Sequence, residues 1–300
     1  MPTDARRRTR RRGHGGRRRR GRGGRSQGCL VTAALLVVGL VLGVYGVGRY
    51  VVPSLTPPVC TVEVGGDSTS LAPDQAQHAA TIAAVGIRRG LPRRAVTIAL
   101  ATALQESKLR NLDHGDRDSL GLFQQRPSQG WGTPAQLQDP VYATEAFYDH
   151  LVRVRGYLDR PLTEVAQKVQ RSGYPDAYAR HEDRAALLAA AFTGAEPTAV
   201  TCTLPEPTSR VPADDLAASL KRELGISPAV EGDRLTGVLS SRELAWAAGS
   251  WAVAHAGRTG VTEVVVADRT WTRGRTARAT KWVDGDETGA TALRISTDAR

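Results

Sequence analysis

The stretch 92–108 leaves the fold the least freedom. Val96, Ile98, Ala99, Leu100, Ala103 and Leu104 spread apolar surface around a helix of this length, and such a helix has to be buried at the centre of its domain. Pro92 sits near its first turn, where a missing N–H is no loss. One residue breaks the pattern. Glu106 puts a carboxyl in the last turn, where apolar neighbours penalise its charged form and the negative end of the helix dipole repels it. Both influences favour the protonated carboxyl, and a raised pKa is what a general acid needs near neutral pH.

After Glu106 the chain enters a polar loop, 111–119, with Asp113, His114, Asp116 and Asp118, and returns with the compact apolar turn Gly121-Leu122-Phe123-Gln124. The loop is no EF-hand, because it lacks the central glycine and the closing glutamate. Two readings stay open. It is an acidic solvated turn, or Asp116 or Asp118 is a second catalytic carboxylate that positions a water.

Around this frame the periodicity predicts helices over 74–90, 133–138, 140–158, 162–170 and 182–192, the last preceded by Tyr174 and Tyr178. Pro205, Pro207 and Pro212 mark a linker. Beyond it, helices are expected near 213–224 and 240–255, with strands at 261–267, 278–283 and 290–296, giving a small α+β region. It shows no nucleophile–base pair. His255 reads as a core or cap histidine. Trp246, Trp251, Trp271 and Trp282 read as core, with a sugar-stacking surface as the alternative.

Charge divides the chain sharply. Residues 1–28 carry twelve arginines against the single acid Asp4, which accounts for the whole formal charge of +11, and the remainder nets zero. Such a tail cannot bury a core and is expected to be disordered. Its arginines read as topogenic charge, with anionic lipid or nucleic acid as alternatives. Next comes 30–48, nineteen residues without a charge, about 28 Å long as a helix and so close to a bilayer's thickness. The expectation is an uncleaved anchor over 29–52, with the N-terminus in the cytoplasm and residues from about 50 outside. A cleaved signal peptide is the rival, although the exit lacks a small-x-small site.

Cysteine usage fits export. Cys29 lies at the start of the apolar run, whereas Cys60 and Cys202 bracket about 140 residues, and disulfides persist outside the cell. The pair Cys60–Cys202 is expected, with two free thiols as the alternative.

The sequence ALQES at 103–107, followed fifteen residues after Glu106 by Gly121-Leu122-Phe123-Gln124, resembles the lytic transglycosylase branch of the lysozyme-like superfamily, in a membrane-anchored form typical of high-GC bacteria. The resemblance covers about 72–203. It implies a mainly α lysozyme-like domain there, after a linker over 53–71 and before a proline-rich linker over 204–212 and a small α+β accessory domain over 213–300. It further implies Glu106 as the catalytic acid, Ser107 as the neighbour that holds the site, and Gly121, Leu122, Phe123 and Gln124 as the turn lining a glycan groove. Tyr178 resembles the late tyrosine facing the acid. Phe123 stands where methionine is usual.

The function implied is cleavage of the bond between N-acetylmuramic acid and N-acetylglucosamine in peptidoglycan strands. One glutamate suffices when the sugar's 6-hydroxyl closes an anhydro ring; if Asp116 or Asp118 holds a water, the product is a reducing sugar. The expected partners are peptidoglycan and, through one helix, the cytoplasmic membrane, with no nucleic acid for the ectodomain, no cofactor and no metal. The rival is a catalytically silent wall-binding or scaffold protein of the same fold.

Overall fold

The computed structural model describes residues 25–46, 57–170, 175–285 and 289–297. The chain forms two compact units, 1–52 and 53–300. The first contributes one helix, α1 (Arg25–Gly46). The anchor expectation is corrected here, because no helix among the described residues is long and apolar enough to cross a membrane. The described residues of α1 run Arg25–Gly46 and combine the polar start Arg25, Ser26 and Gln27 with the uncharged stretch from Leu30. The single-pass topology and the cytoplasmic-membrane location fall with the anchor. Most of the arginine tail, residues 1–24, lies outside the described residues.

The second unit opens with strands β1 (Val59–Val64) and β2 (Asp67–Leu71), in a stretch expected to be linker. Gly65 and Gly66 both take positive φ, 60° and 93°, as a two-residue hairpin turn requires. A later strand, β3 (Val200–Thr203), pairs antiparallel with β1 and sets Cys202 opposite Cys60. These two cysteines form a fully buried disulfide.

Between β2 and β3 run α2 (Pro73–Arg88), α3 (Arg93–Ser107), the single turn α4 (Pro134–Leu137), α5 (Pro140–Leu151), α6 (Leu162–Gln170) and α7 (Glu182–Phe192). Helix α3 is buried without a break from Ala95 to Leu104 and is packed by α2, α5, α6 and α7. The helix expected over 140–158 stops at Leu151. Val152 and Leu158 beyond it are exposed, whereas Val154 and Tyr157 pack against the core from turns, not from a continued helix.

The remaining chain forms α8 (Ala213–Leu224), β4 (Ala229–Glu231), β5 (Arg234–Val238), α9 (Arg242–Thr259), β6 (Glu263–Val266), β7 (Arg269–Thr272), β8 (Val283–Asp284) and β9 (Ala292–Ser296). Its strands make an antiparallel sheet in the order β4-β5-β9-β6-β7-β8. Residues 278–280 of the expected strand 278–283 are turn, and strand pairing begins only at Val283. Helix α9 lies between this sheet and α2, with Trp246 and Trp251 buried in the shared core. Residues on both sides of 204–212 thus contribute to one core, and that segment is pinned by Arg273 Nε, which donates to the Pro205 carbonyl at 2.5 Å. The fold is therefore not mainly α with a membrane helix. It is an α and β unit with sheets of three and six strands, several of them too short or too polar to read as strands in isolation.

Candidate active site

Glu106 is the penultimate residue of α3, where the helix ends abruptly. Lys108 and Leu109 follow in the left-handed region at φ 55° and 60°, a conformation that neither residue prefers. The Leu109 N–H turns back to the Ala103 carbonyl at 3.1 Å. Two side chains one turn apart on α2 hold this kink from the other side. Gln75 Nε2 donates to the Lys108 carbonyl at 2.8 Å, and His78 Nδ1 meets the Leu109 carbonyl at 2.8 Å, an acceptor that places the proton on Nδ1. Burial pushes the His78 pKa down, keeping the ring neutral there.

Ser107 ties the helix end to the following turn. Its Oγ donates toward the Leu122 carbonyl at 2.7 Å and also lies 3.1 Å from the Ala103 carbonyl. The turn is a small hairpin, closed by reciprocal bonds between Leu120 and Gln125 and by the Gly121 N–H to the Leu112 carbonyl. At Gly121, φ is 76°, and a Cβ would come within 2.3 Å of the Leu137 carbonyl oxygen, so no side chain fits. Leu122 and Phe123 face inward and are fully buried, with Phe123 stacked on Phe147 at 4.6 Å. Gln124, at φ 48°, folds its amide back onto the loop, 3.3 Å from the His114 and Gly121 carbonyls. The Gly-Leu-Phe-Gln turn therefore presents little side chain to solvent.

Tyr178 arrives from a 3₁₀ helix, Pro175–His181, which Gln105 pins by accepting from Arg180 Nη2 at 2.8 Å and His181 Nε2 at 3.1 Å. The buried Tyr178 hydroxyl donates to Glu106 Oε1 at 2.5 Å. Gln170, at the end of α6, donates through Nε2 to the Phe123 carbonyl at 2.6 Å and stands near enough to Glu106 for its amide to favour the charged carboxylate. Burial raises the Glu106 pKa, and the Tyr178 hydroxyl and the Gln170 amide oppose that shift without reversing it. The carboxyl is therefore biased toward the protonated form while the Tyr178 hydroxyl orients it. Such a group can deliver a proton to a bound oxygen and take one back.

The two loop aspartates go elsewhere. Asp118 accepts from Arg126 Nε at 2.7 Å, from the Ser128 N–H at 2.8 Å and from the Ser128 hydroxyl at 3.0 Å. These donors, the Ser128 backbone first, hold its pKa well below the usual carboxylate range. Asp116 is exposed. Among the described residues no hydrogen bond or ion pair joins either aspartate to Glu106. Tyr174 lies outside the described residues. Among those described, no group of three His, Cys, Asp or Glu side chains stands close enough to hold a metal ion.

Sequence reasoning missed Gln75, His78 and Gln170. The helical spacing of Gln75 and His78 puts them on one face of α2, but nothing local points that face at the end of α3. Gln170 follows Glu106 by 64 residues, and only the tertiary fold joins them. No protein-family model matches the chain, and no curated protein does so either.

Proposed function

We propose that the chain cleaves peptidoglycan glycan strands at the bond between N-acetylmuramic acid and N-acetylglucosamine, with Glu106 as acid and then base. The observation that carries this reading is the half-buried Glu106 carboxyl, its pKa raised by burial, aimed by the Tyr178 hydroxyl at 2.5 Å. The resemblance of ALQES and the Gly121–Gln124 turn to lytic transglycosylases supplies the substrate class.

In this reaction the protonated Glu106 gives its proton to the glycosidic oxygen as the bond to the muramic acid C1 breaks. The carboxylate so formed accepts the proton of that sugar's 6-hydroxyl, whose oxygen bonds to C1. A 1,6-anhydro ring closes, no water is consumed, and Glu106 ends protonated as it began. Tyr178 stabilises the intermediate carboxylate by donating to it, and the nearby Gln170 amide favours the same charged form. With both Asp118 oxygens occupied by Arg126 and Ser128, a single-carboxylate route fits better than hydrolysis through a second carboxylate.

The test is mass spectrometry of purified peptidoglycan after treatment with the protein, where anhydro-muropeptides are the expected products. Glu106→Gln should lower the rate by about 10² to 10⁴ with an unchanged circular dichroism spectrum. Digestion by that variant at the wild-type rate would remove Glu106 from the chemistry. Wild-type protein that retains glycan yet releases no soluble fragment would point to the binding or scaffold role.

A further inference from the structure

Gln170 has a second neighbour besides Glu106. It lines a cavity of about 470 Å³ whose walls include Gln129, Trp131, His150, Arg153 and Lys168, a volume within the range of small-molecule sites. The Trp131 ring is half-buried and rests against the His150 ring, 4.0 Å between centroids, while the Tyr142 hydroxyl meets the Trp131 carbonyl at 3.3 Å. The indole is thus held in place as part of the wall.

The basic residues of the second unit divide into those with a carboxylate partner and those without. Arg88, Arg89, Arg94, Arg110, Arg126, Arg160 and Arg222 each have a carboxylate partner. Arg153 and Lys168 have none among the described residues, and the cavity wall contains no acid. Two uncompensated cations in a concave site raise the local potential for anions, and a guanidinium can grip a carboxylate with two parallel hydrogen bonds. A fixed indole beside them offers an apolar face to a sugar ring. Gln129 and Gln170 add amides suited to hydroxyl and acetamido groups.

We propose that the cavity formed by Trp131, Arg153, Lys168 and Gln170 is a subsite for a carboxylate-bearing sugar unit, placed beside Glu106 through Gln170. The subsite takes its ligand class from the glycan-cleaving reading, yet its binding preference is measurable without catalysis. It selects acidic strands over neutral ones of the same length, a preference that Glu106 and its hydrogen-bond partners cannot impose.

The experiment uses the full chain. The probes are an unbranched tetrasaccharide of alternating N-acetylglucosamine and N-acetylmuramic acid and the same tetrasaccharide with its lactyl carboxylates converted to primary amides. Calorimetric titration of Glu106→Gln protein should show the acid form bound about tenfold more tightly than the amide, with the advantage shrinking as salt is added. Adding Arg153→Gln and Lys168→Gln, both at exposed positions, should erase that advantage and leave amide binding unchanged. Equal loss on both probes, or no loss on either, overturns the subsite. Cleavage of the acid probe by wild-type protein is followed in parallel. Cleavage with no charge-dependent binding removes the subsite and leaves the glycosidase. Charge-dependent binding that the double substitution abolishes, without cleavage, keeps the subsite and removes the glycosidase. Absence of both binding and cleavage overturns the two together.

Discussion

Glu106 and Glu223 occupy the same kind of place: each is the penultimate residue of a helix, α3 and α8, and each is largely withdrawn from water. Their carboxyls are driven in opposite directions. Burial pushes both up. At Glu106 the Tyr178 hydroxyl and the Gln170 amide leave that push in control. At Glu223 the push is overridden by the His255 imidazole 3.5 Å away, aided by Trp251 Nε1 at 2.7 Å and the Thr81 hydroxyl at 2.8 Å. A buried carboxylate given an imidazole and two hydrogen-bond donors is driven toward its ionised form; one given only neutral neighbours is left pushed toward its protonated form. Helix α2 touches both. Thr81 donates to Glu223, while His78 and Gln75, earlier on the helix, hold the kink after Glu106.

The comparison breaks most visibly at Glu223. Glu223→Ala leaves the buried Trp251 and Thr81 donors without their acceptor and removes the carboxylate facing His255 Nε2 at 3.5 Å; leaving buried donors unsatisfied costs about 1–3 kcal/mol each. Denaturant unfolding should report a loss of that size, with the rate per folded molecule close to wild type. A Glu223→Ala protein as stable as wild type but inactive would make Glu223 part of the chemistry. Ser107→Ala comes next. It strands the buried Leu122 carbonyl, at a cost of about 1–3 kcal/mol, and frees the hairpin turn from the end of α3. Here both stability and kcat should fall, because the clamp that aligns Glu106 is lost.

Glu106→Gln should act in the reverse sense on stability. The Glu106 pKa in the folded protein lies above its ordinary value of 4.5. Its contribution is therefore fully present below that ordinary value and lost as pH rises through the folded-state value. Glu223 lies below its ordinary value, so its contribution is present above that value and lost as pH falls through the folded-state one. Thermal melts across pH 4 to 8 should show Glu106→Gln gaining on wild type as pH rises, by up to about 2 kcal/mol at neutrality. Glu223→Gln should be in deficit at neutral pH and recover part of it on acidification. A Glu106→Gln protein that lost ground as pH rose would mean that burial does not control this carboxyl.

How much of this was legible in the sequence depends on the range of the forces involved. The burial of α3 was legible, because an apolar run that surrounds a helix admits few other arrangements, and so was the pairing of Cys60 with Cys202. The resemblance named Ser107 as the neighbour that holds the site, but its bond to the Leu122 carbonyl is a tertiary contact that no local signal specifies. His255 was expected to be a core histidine, and it is fully buried, but Glu223 gave no sign of meeting it because an isolated glutamate near the end of an amphipathic helix normally faces water. The Gly65-Gly66 hairpin was present as a turn signal and was read as spacer, since β1 and β2 become a sheet only when β3 returns from 130 residues away. The apolar run at 30–48 misled in the opposite way: a stretch without charge need not be apolar enough, and among the described residues no helix combines the length and hydropathy that a membrane span needs.

The smallest expected effect belongs to the third carboxylate in the comparison. The Ser128 and Arg126 donors lower the Asp118 pKa, yet it lies in a partly exposed loop where such contacts are screened by water. Its partners, Arg126 and Ser128, are eight and ten residues away in sequence, so its contacts organise the loop and do not reach the end of α3. Asp118→Asn keeps the shape and can still accept from the Ser128 N–H while losing the charge that faces Arg126. Peptidoglycan cleavage by this variant should stay close to wild type, and its products should remain anhydro-muropeptides. A collapse of activity comparable to that of Glu106→Gln, with reducing-end products in the wild-type digest, would make Asp118 the water-positioning base. It would also turn the contrast between one raised and one lowered carboxyl into the acid and base of a hydrolase.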